Sequence, residues 1–480
     1  MRIVRRARWR NHTGNQGVDP LQRQNPQRLD ELAKLIRQAE SEGVSVRAVG
    51  SGHSWSDVAL TPGFLVEPQG MSALLELSEL RAGVDAAELV RCEGGMRLEE
   101  LNAALHASGR ALHQMGGYDG QTVAGVVATS THGSGIGLGP ICDFVRSFDL
   151  VAAGGVVHRV EPADGPTDPV AYAARYPDAV LHQDDAFFDA ALVGMGCLGV
   201  MHSAMLSVRE RYWLKEVRTL QPWGEVKAGL VDALAAHRHY EVLVNPYRPR
   251  DSDLCLVTTR DIVDGPAKRP RDRARNSFPE FVASLPLTGS ILNVVSDLWP
   301  RGTPRRLDQG LKLIADEDFT NWSYKVLNVG TANFLPAYCS EIGVPFDSRG
   351  LWIEAVERIM RIADRAARLG DVYQTSWASL RFVRESRACL SMMEGRPTMM
   401  IELIQATRTE GGFELLAAYE DALYDLEGRP HWGQVNTLTP ERVRSLYPRL
   451  PEWMAVHARL NASGVFDGPF PKRVGLSAES

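Results

Sequence analysis

Several features that announce a function are missing from these 480 residues. No apolar run reaches the roughly 18 residues a membrane-spanning helix needs, so no span is expected. The six cysteines (Cys92, Cys142, Cys197, Cys255, Cys339 and Cys389) are scattered, with no CxxC and no His/Cys cluster at ligand spacing. That pattern argues against a disulfide framework or a metal site and for reduced, buried thiols. The opening MRIVRRARWRNHTGNQ carries paired arginines but no apolar stretch after them, so the expected location is the cytoplasm. A net charge of -6 gives no reason to expect nucleic acid or an anionic membrane as partner. The one basic stretch, 263–275 (VDGPAKRPRDRAR), is isolated and lacks interleaved aromatics, and it reads as a solvated loop. No G-x-G-x-x-G stands at a strand-to-helix turn, which counts against an ordinary dinucleotide-binding Rossmann unit. No internal repeat or heptad pattern is present.

What is present is a long globular chain, 44% hydrophobic with 43 glycines, too large for one core and expected to form two or three domains. After Asn25-Pro26, residues Leu29, Leu32, Leu35, Ile36 and Ala39 fall on one helical face and Gly43 stops the helix. Val44–Val49 reads as a strand that runs into the loop Gly50-Ser51-Gly52-His53-Ser54-Trp55-Ser56-Asp57. A second unit follows: a strand at Leu89–Cys92, Gly94-Gly95, and a helix presenting Leu98, Leu101 and Leu105. Residues 116–139 are so rich in small side chains that they should pack poorly as core and approach something closely with their backbone. A strand pair is expected around Phe148–Val160 with Gly154-Gly155 at its turn. A further strand should follow the turn Gly194–Gly199, at Val200–Val208. Helical periodicity returns at 351–366 and 414–426.

Taken alone, a histidine in a Gly/Ser loop is weak evidence: the glycines let the backbone lie against a ligand and the hydroxyls can donate to phosphate. Three segments in order say more: RAVGSGHSWSDVAL (47–60), QTVAGVVATSTHGSG (121–135) and VGMGCLGV (193–200). Together they resemble the FAD-binding domain of the vanillyl-alcohol oxidase superfamily, in the branch of gulonolactone, arabinonolactone and alditol oxidases. The opening Trp9–Asn15 and the Arg429-Pro430-His431-Trp432-Gly433 segment extend the resemblance to both ends of the chain. It implies an FAD joined through its 8α-methyl to His53. Gly50, Ser51, Gly52 and Ser54 would surround that bond. Gly120, Thr122, Gly125, Thr129, Thr131, His132 and Gly133 would cradle the pyrophosphate and flavin, with Gly199 and Val200 at the adenosine or pyrophosphate end and His431 near the flavin. His132 is expected to be a hydrogen-bonded structural residue.

The substrate side departs from those relatives. Where they read E-V-R, this chain has Ser379-Leu380-Arg381: the arginine stays and serine replaces the glutamate. Glu402 stands where the alditol oxidases have histidine, and Gln434 where the branch has lysine. Glu402 lies on an apolar strand between Ile401 and Leu403, whose side chains point to the opposite face. It should therefore be paired, by Arg381 or Arg384, or raised in pKa by desolvation. A base or substrate-orienting role and a purely structural ion pair both stay open. Glu341, in SEIGVPFD, is expected to fix the end of a strand; Met392 and Met393 hint at an apolar entrance, with core packing the equal alternative.

The resemblance implies an α+β fold. An FAD-binding domain would span 1–211 with a C-terminal return at 421–480, and an antiparallel-sheet cap covered by helices would span 212–420. It implies oxidation of a CH–OH group of a small-molecule alcohol by hydride transfer to flavin N5, over about 3–3.5 Å, with Ser379, Arg381, Glu402 and Gln434 facing the substrate. The acceptor would be O2 or another oxidant. No metal is expected. A flavin-binding protein without catalysis is the remaining alternative.

Overall fold

A computed structural model describes residues 2–5, 7–247, 253–266, 299–315, 318–329, 337–370 and 372–477. The basic stretch from 267 to 275 lies outside the described residues. Among them, no helix is long and apolar enough to cross a membrane, and all six cysteines are buried and free.

The N-terminal part is built on two sheets. In the first, strands Arg2–Arg5, Gln22–Asn25, Phe64–Val66 and Val46–Ala48 lie side by side in that order. The helix Leu29–Glu42 ends at Gly43, whose φ of 63° suits a glycine, and it buries Leu32, Leu35, Ile36 and Ala39 as the periodicity predicts. The second sheet has six strands in the order Val180–Gln183, Val157–Glu161, Val145–Val151, Val200–Ser207, Leu89–Glu93, Leu74–Leu75. The pair expected around Phe148–Val160 is antiparallel, with Phe148 opposite Val160.

From Trp213 the chain builds an eight-stranded, wholly antiparallel sheet. Its order is Asp318–Trp322, Trp213–Pro222, Leu254–Val263, His239–Val244, Ala378–Val383, Thr398–Ala406, Ala337–Pro345, Arg429–Pro430. The eighth strand comes from the segment assigned above to the C-terminal return. Strand alternation gives the sheet two unlike faces. One carries Val242, Leu380, Phe382, Ile401, Leu403 and Ile342. These pack against Trp352, Val356 and Ile359 of the helix Leu351–Gly370 and Leu415, Leu416 and Tyr419 of Gly412–Leu423. The other face carries Glu241, Ser379, Arg381, Glu402 and Glu341, because Glu341, Glu402 and Ser379 are register partners and Glu241 is opposite Arg381.

One expectation changes and one alternative is decided. Glu341 sits in the middle of Ala337–Pro345, not at its end. Met392 and Met393 make no entrance: both are fully buried in the core under the C-terminal helices, where flexible thioethers fill space.

Irregular loops need a polar brace, and Arg47 supplies one. Its buried guanidinium donates to the Val58 carbonyl (Nε, 3.0 Å), the Met195 carbonyl (2.5 Å) and Cys197 Sγ (3.4 Å), tying the 50–58 loop to the 194–199 turn. Arg47→Ala leaves those carbonyls unpaired in the interior. It should cost about 3 kcal/mol, read as a lower Tm together with faster proteolysis of both loops.

Candidate active site

The loops that end the two N-terminal sheets enclose an elongated cavity of about 1110 Å³, open solvent at its mouth included. Gly50, Ser51, Gly52, His53 and Ser54 form one wall; Thr122, Gly125 and Thr129 another; Gly199 and Val200 close it, with Leu150, Ala191 and Leu192 making an apolar end. These ten are the cofactor candidates that line it. No Lys, Arg, Asp or Glu stands among the described lining residues. An anionic group there would be held by backbone N–H groups and hydroxyls, and a neutral ring by the apolar end. Uncharged walls of glycine, serine and threonine beside an apolar end suit a dinucleotide with a diphosphate at its middle.

Two glycines show why this backbone has its composition. A Cβ on Gly50 would overlap Thr122 Oγ1, the atom that caps the helix Val123–Ala128 by accepting from Gly125 N–H at 3.3 Å. Gly199 has φ 145°, and a Cβ there would stand 2.8 Å from the Val151 carbonyl.

The other five cofactor candidates do not line the cavity. The Gly120 carbonyl accepts from Ser51 Oγ at 2.5 Å, and Thr131 Oγ1 is 3.4 Å from Thr129 Oγ1. His132 and His431 meet Glu341 of the eight-stranded sheet, and Gly133 lies against Gln114 and Met115. His132 Nδ1 contacts the Gly133 carbonyl at 2.9 Å and its Nε2 is 3.3 Å from Glu341 Oε1. His431 Nδ1 accepts from Gly433 N–H at 3.0 Å, and its own N–H donates to the Glu341 carbonyl at 2.8 Å.

The His53 loop is tied by short contacts to the 432–433 turn and to the strand that bears Glu341. Trp55 N–H donates to the Gly433 carbonyl at 2.7 Å, Ser56 Oγ to the Trp432 carbonyl at 2.6 Å, and Trp55 Nε1 to the Ala337 carbonyl at 2.9 Å. On the polar face of the eight-stranded sheet Arg381 touches three carboxylates: Glu402 at 2.6 Å, Glu241 at 3.3 Å and Glu341 at 3.5 Å. Ser379 Oγ donates to Glu241 at 2.9 Å, and Arg260 reaches Glu241 from the far side at 3.2 Å. The alternative Arg384 pairs with Asp143 at 3.8 Å instead.

These carboxylates do not share one character. Burial pushes all three upward. In Glu241 the guanidiniums of Arg381 and Arg260 outweigh it and leave the carboxyl below its usual value. In Glu341, His132 and then Arg381 outweigh burial and bring it to about 2. In Glu402 burial wins over Arg381, and the like charges of Glu341 and Glu241 add to it, so its pKa is raised. His431 is lowered to about 4, chiefly by burial. Two fixed anions and one carboxyl of raised proton affinity around one guanidinium can hold a hydroxyl and take its proton.

Gln434 lies in the turn whose N–H groups at His431 and Val435 donate to Glu341 and Cys339; its side-chain oxygen is buried without a hydrogen-bond partner. The Cys339 thiol donates to Glu402 at 3.4 Å, and burial raises its pKa well above the usual value. Glu241 escaped the sequence reading, although a lone acid within the strand HYEVLV is the same signal that singled out Glu402.

Residues 20–161 match the FAD binding domain family and residues 204–474 the D-arabinono-1,4-lactone oxidase family. An L-gulono-1,4-lactone dehydrogenase of Mycobacterium tuberculosis is 27% identical over 467 residues, covering 97% of this chain and 98% of that protein. An alditol oxidase of a Streptomyces species is 28% identical over 467 residues, covering 96% and 97%. The L-gulonolactone oxidase of Mus musculus is 23% identical over 473 residues, covering 98% of each. A solved structure of a solvent-stable cholesterol oxidase has the same fold, with a TM-score of 0.77 at 16% identity over 99% of this chain and 98% of that one.

The Thr122 hydroxyl that caps the helix also fills the space a side chain at position 50 would need. Gly50→Ala should lower the Tm, and Gly50→Ala/Thr122→Ala should melt above the single variant, because the second substitution removes the hydroxyl the new Cβ strikes.

Proposed function

From the premise that this chain belongs to the D-arabinono-1,4-lactone oxidase family, we propose that it oxidises a CH–OH group with Arg381 orienting the substrate and Glu402 taking the hydroxyl proton, and that its FAD is covalently bound to His53. It is an FAD-linked oxidoreductase. Residues 1–211 with 421–480 would hold the cofactor, and 212–420 the substrate. The observation that carries the proton-transfer reading is the 2.6 Å Arg381–Glu402 pair on the sheet that the His53 loop touches at the Ala337 carbonyl.

FAD, when bound, supplies the two-electron acceptor for the hydride of the carbinol carbon. Everything else falls to side chains. The Arg381 guanidinium, held by Glu241 and Glu341, keeps one fork beside Glu402 and so fixes where the substrate hydroxyl can sit. Glu402 must be ionised to accept the proton, and burial makes it a stronger base than a surface carboxylate. The Gln434 side-chain oxygen offers an acceptor for a second hydroxyl of a polyol or lactone. Ser379, bonded to Glu241, positions that carboxylate rather than replacing a glutamate. With a relative called a dehydrogenase as similar as those called oxidases, dioxygen and a quinone or dye are both to be tried as final acceptor. We propose dioxygen, with hydrogen peroxide as product.

In an anaerobic screen of alditols, aldonolactones, glycosides and sterols, at least one should bleach the flavin absorbance; bleaching by none leaves the enzymatic reading without support. Glu402→Gln should lower kcat/KM about 100-fold. In the wild type kcat/KM should rise with pH through the raised Glu402 pKa, and that acid limb should vanish in the variant. His53→Ala should release all of its flavin on acid precipitation, whereas the wild-type pellet stays yellow.

A further inference from the structure

We infer that His12 and Tyr118 are positioning residues that clamp the His53 imidazole between their rings and thereby govern how fast His53 is joined to the isoalloxazine; this rests on the covalent linkage proposed above. The His53 ring stacks on His12 with centroids 4.1 Å apart and planes 25° apart, and on Tyr118 at 4.6 Å and 27°. Trp55 closes a third side, 5.3 Å from His53 and tilted by 57°. An imidazole packed between two rings keeps one ring plane, and His53 lines the cavity.

Each clamp residue is anchored by chain that the substrate face does not use. His12 N–H donates to the Gly52 carbonyl at 3.1 Å, and its Nδ1 lies 3.4 Å from the same atom. Desolvation in the stack lowers the His12 pKa, so at neutral pH an uncharged ring faces His53. Tyr118 keeps its place because residue 120 is glycine: a Cβ there would overlap the phenol oxygen. The Gly120 carbonyl in turn accepts from Ser51 at 2.5 Å, two residues before His53. Face-to-face geometry also says what the clamp does not do. The lone pairs of an imidazole lie in its plane, so neither ring is aligned to carry the His53 proton, and the role is orientation.

Linkage forms one bond, from an imidazole nitrogen of His53 to the C8 methyl carbon of the isoalloxazine. It breaks one methyl C–H and the imidazole N–H bond. The two protons and the electron pair stay on the flavin, and the enzyme's own electron acceptor then removes them. A reaction of this kind depends on how the nitrogen is aimed, and loss of such alignment costs about tenfold or more.

The test uses the full chain produced in a riboflavin-starved host, mixed with FAD in air, and follows acid-stable flavin fluorescence with time. Non-covalent FAD affinity is read from the first seconds of the same mixtures. His12→Ala and Tyr118→Ala should bind FAD as the wild type does yet link it about tenfold or more slowly. His12→Phe and Tyr118→Phe, which keep a ring but no imidazole or phenol, should link at nearly the wild-type rate. Alanine variants linking at the wild-type rate, or phenylalanine variants as slow as alanine, overturn the clamp while leaving the linkage standing. A wild-type protein with no acid-stable flavin overturns the linkage itself and the clamp with it.

Discussion

One guanidinium among three carboxylates organises the eight-stranded sheet of this protein. Arg381 could not hold Glu241, Glu341 and Glu402 at 3.3, 3.5 and 2.6 Å unless three strands presented them on one sheet face. Charges taken out of water are tolerated only when paired and hydrogen-bonded. The alternate positions of the same strands are therefore free to be wholly apolar, and two amphipathic helices cover them. Glu241 is shared with Arg260, and Arg260 with Glu216 at 2.6 Å, so the charge pattern continues across the sheet and stiffens it.

The cofactor half follows the opposite rule. Its cavity is walled by backbone, hydroxyls and small apolar groups, with no charged side chain among its described lining. The buried Arg47 beside its loops points into loop carbonyls and works as a brace. The division has a chemical sense. Under the proposed function, diphosphate and ring would be bound by dipoles already fixed in the chain, which need little reorganisation, while ionisable groups would stand where a proton moves.

The contact between halves is made by few residues. Trp55 and Ser56 reach the 431–434 turn and the Ala337 carbonyl, and His132 meets Glu341. The loop carrying His53 is thus fixed from both sides: by the Gly-rich segment of its own half, and by the strand that bears Glu341.

The sequence by itself determined the elements and the cofactor loops. Apolar spacing placed a helix after Asn25-Pro26 that stops at Gly43 and helical periodicity over 351–366, where the structure has Leu351–Gly370, and alternation put Ile401 and Leu403 opposite Glu402. The order of Gly-rich segments identified the walls of the cavity, because periodicity and turn chemistry are local properties of the chain. Only the tertiary structure decided which charges meet. Glu241 and Arg381 are 140 positions apart and become neighbours through strand register. Glu341 passed from a strand end to the centre of the site for the same reason, and Met392 and Met393 are core rather than entrance because helices from the far C-terminus cover them. Register and cover are set by contacts between distant segments, and no local pattern encodes them.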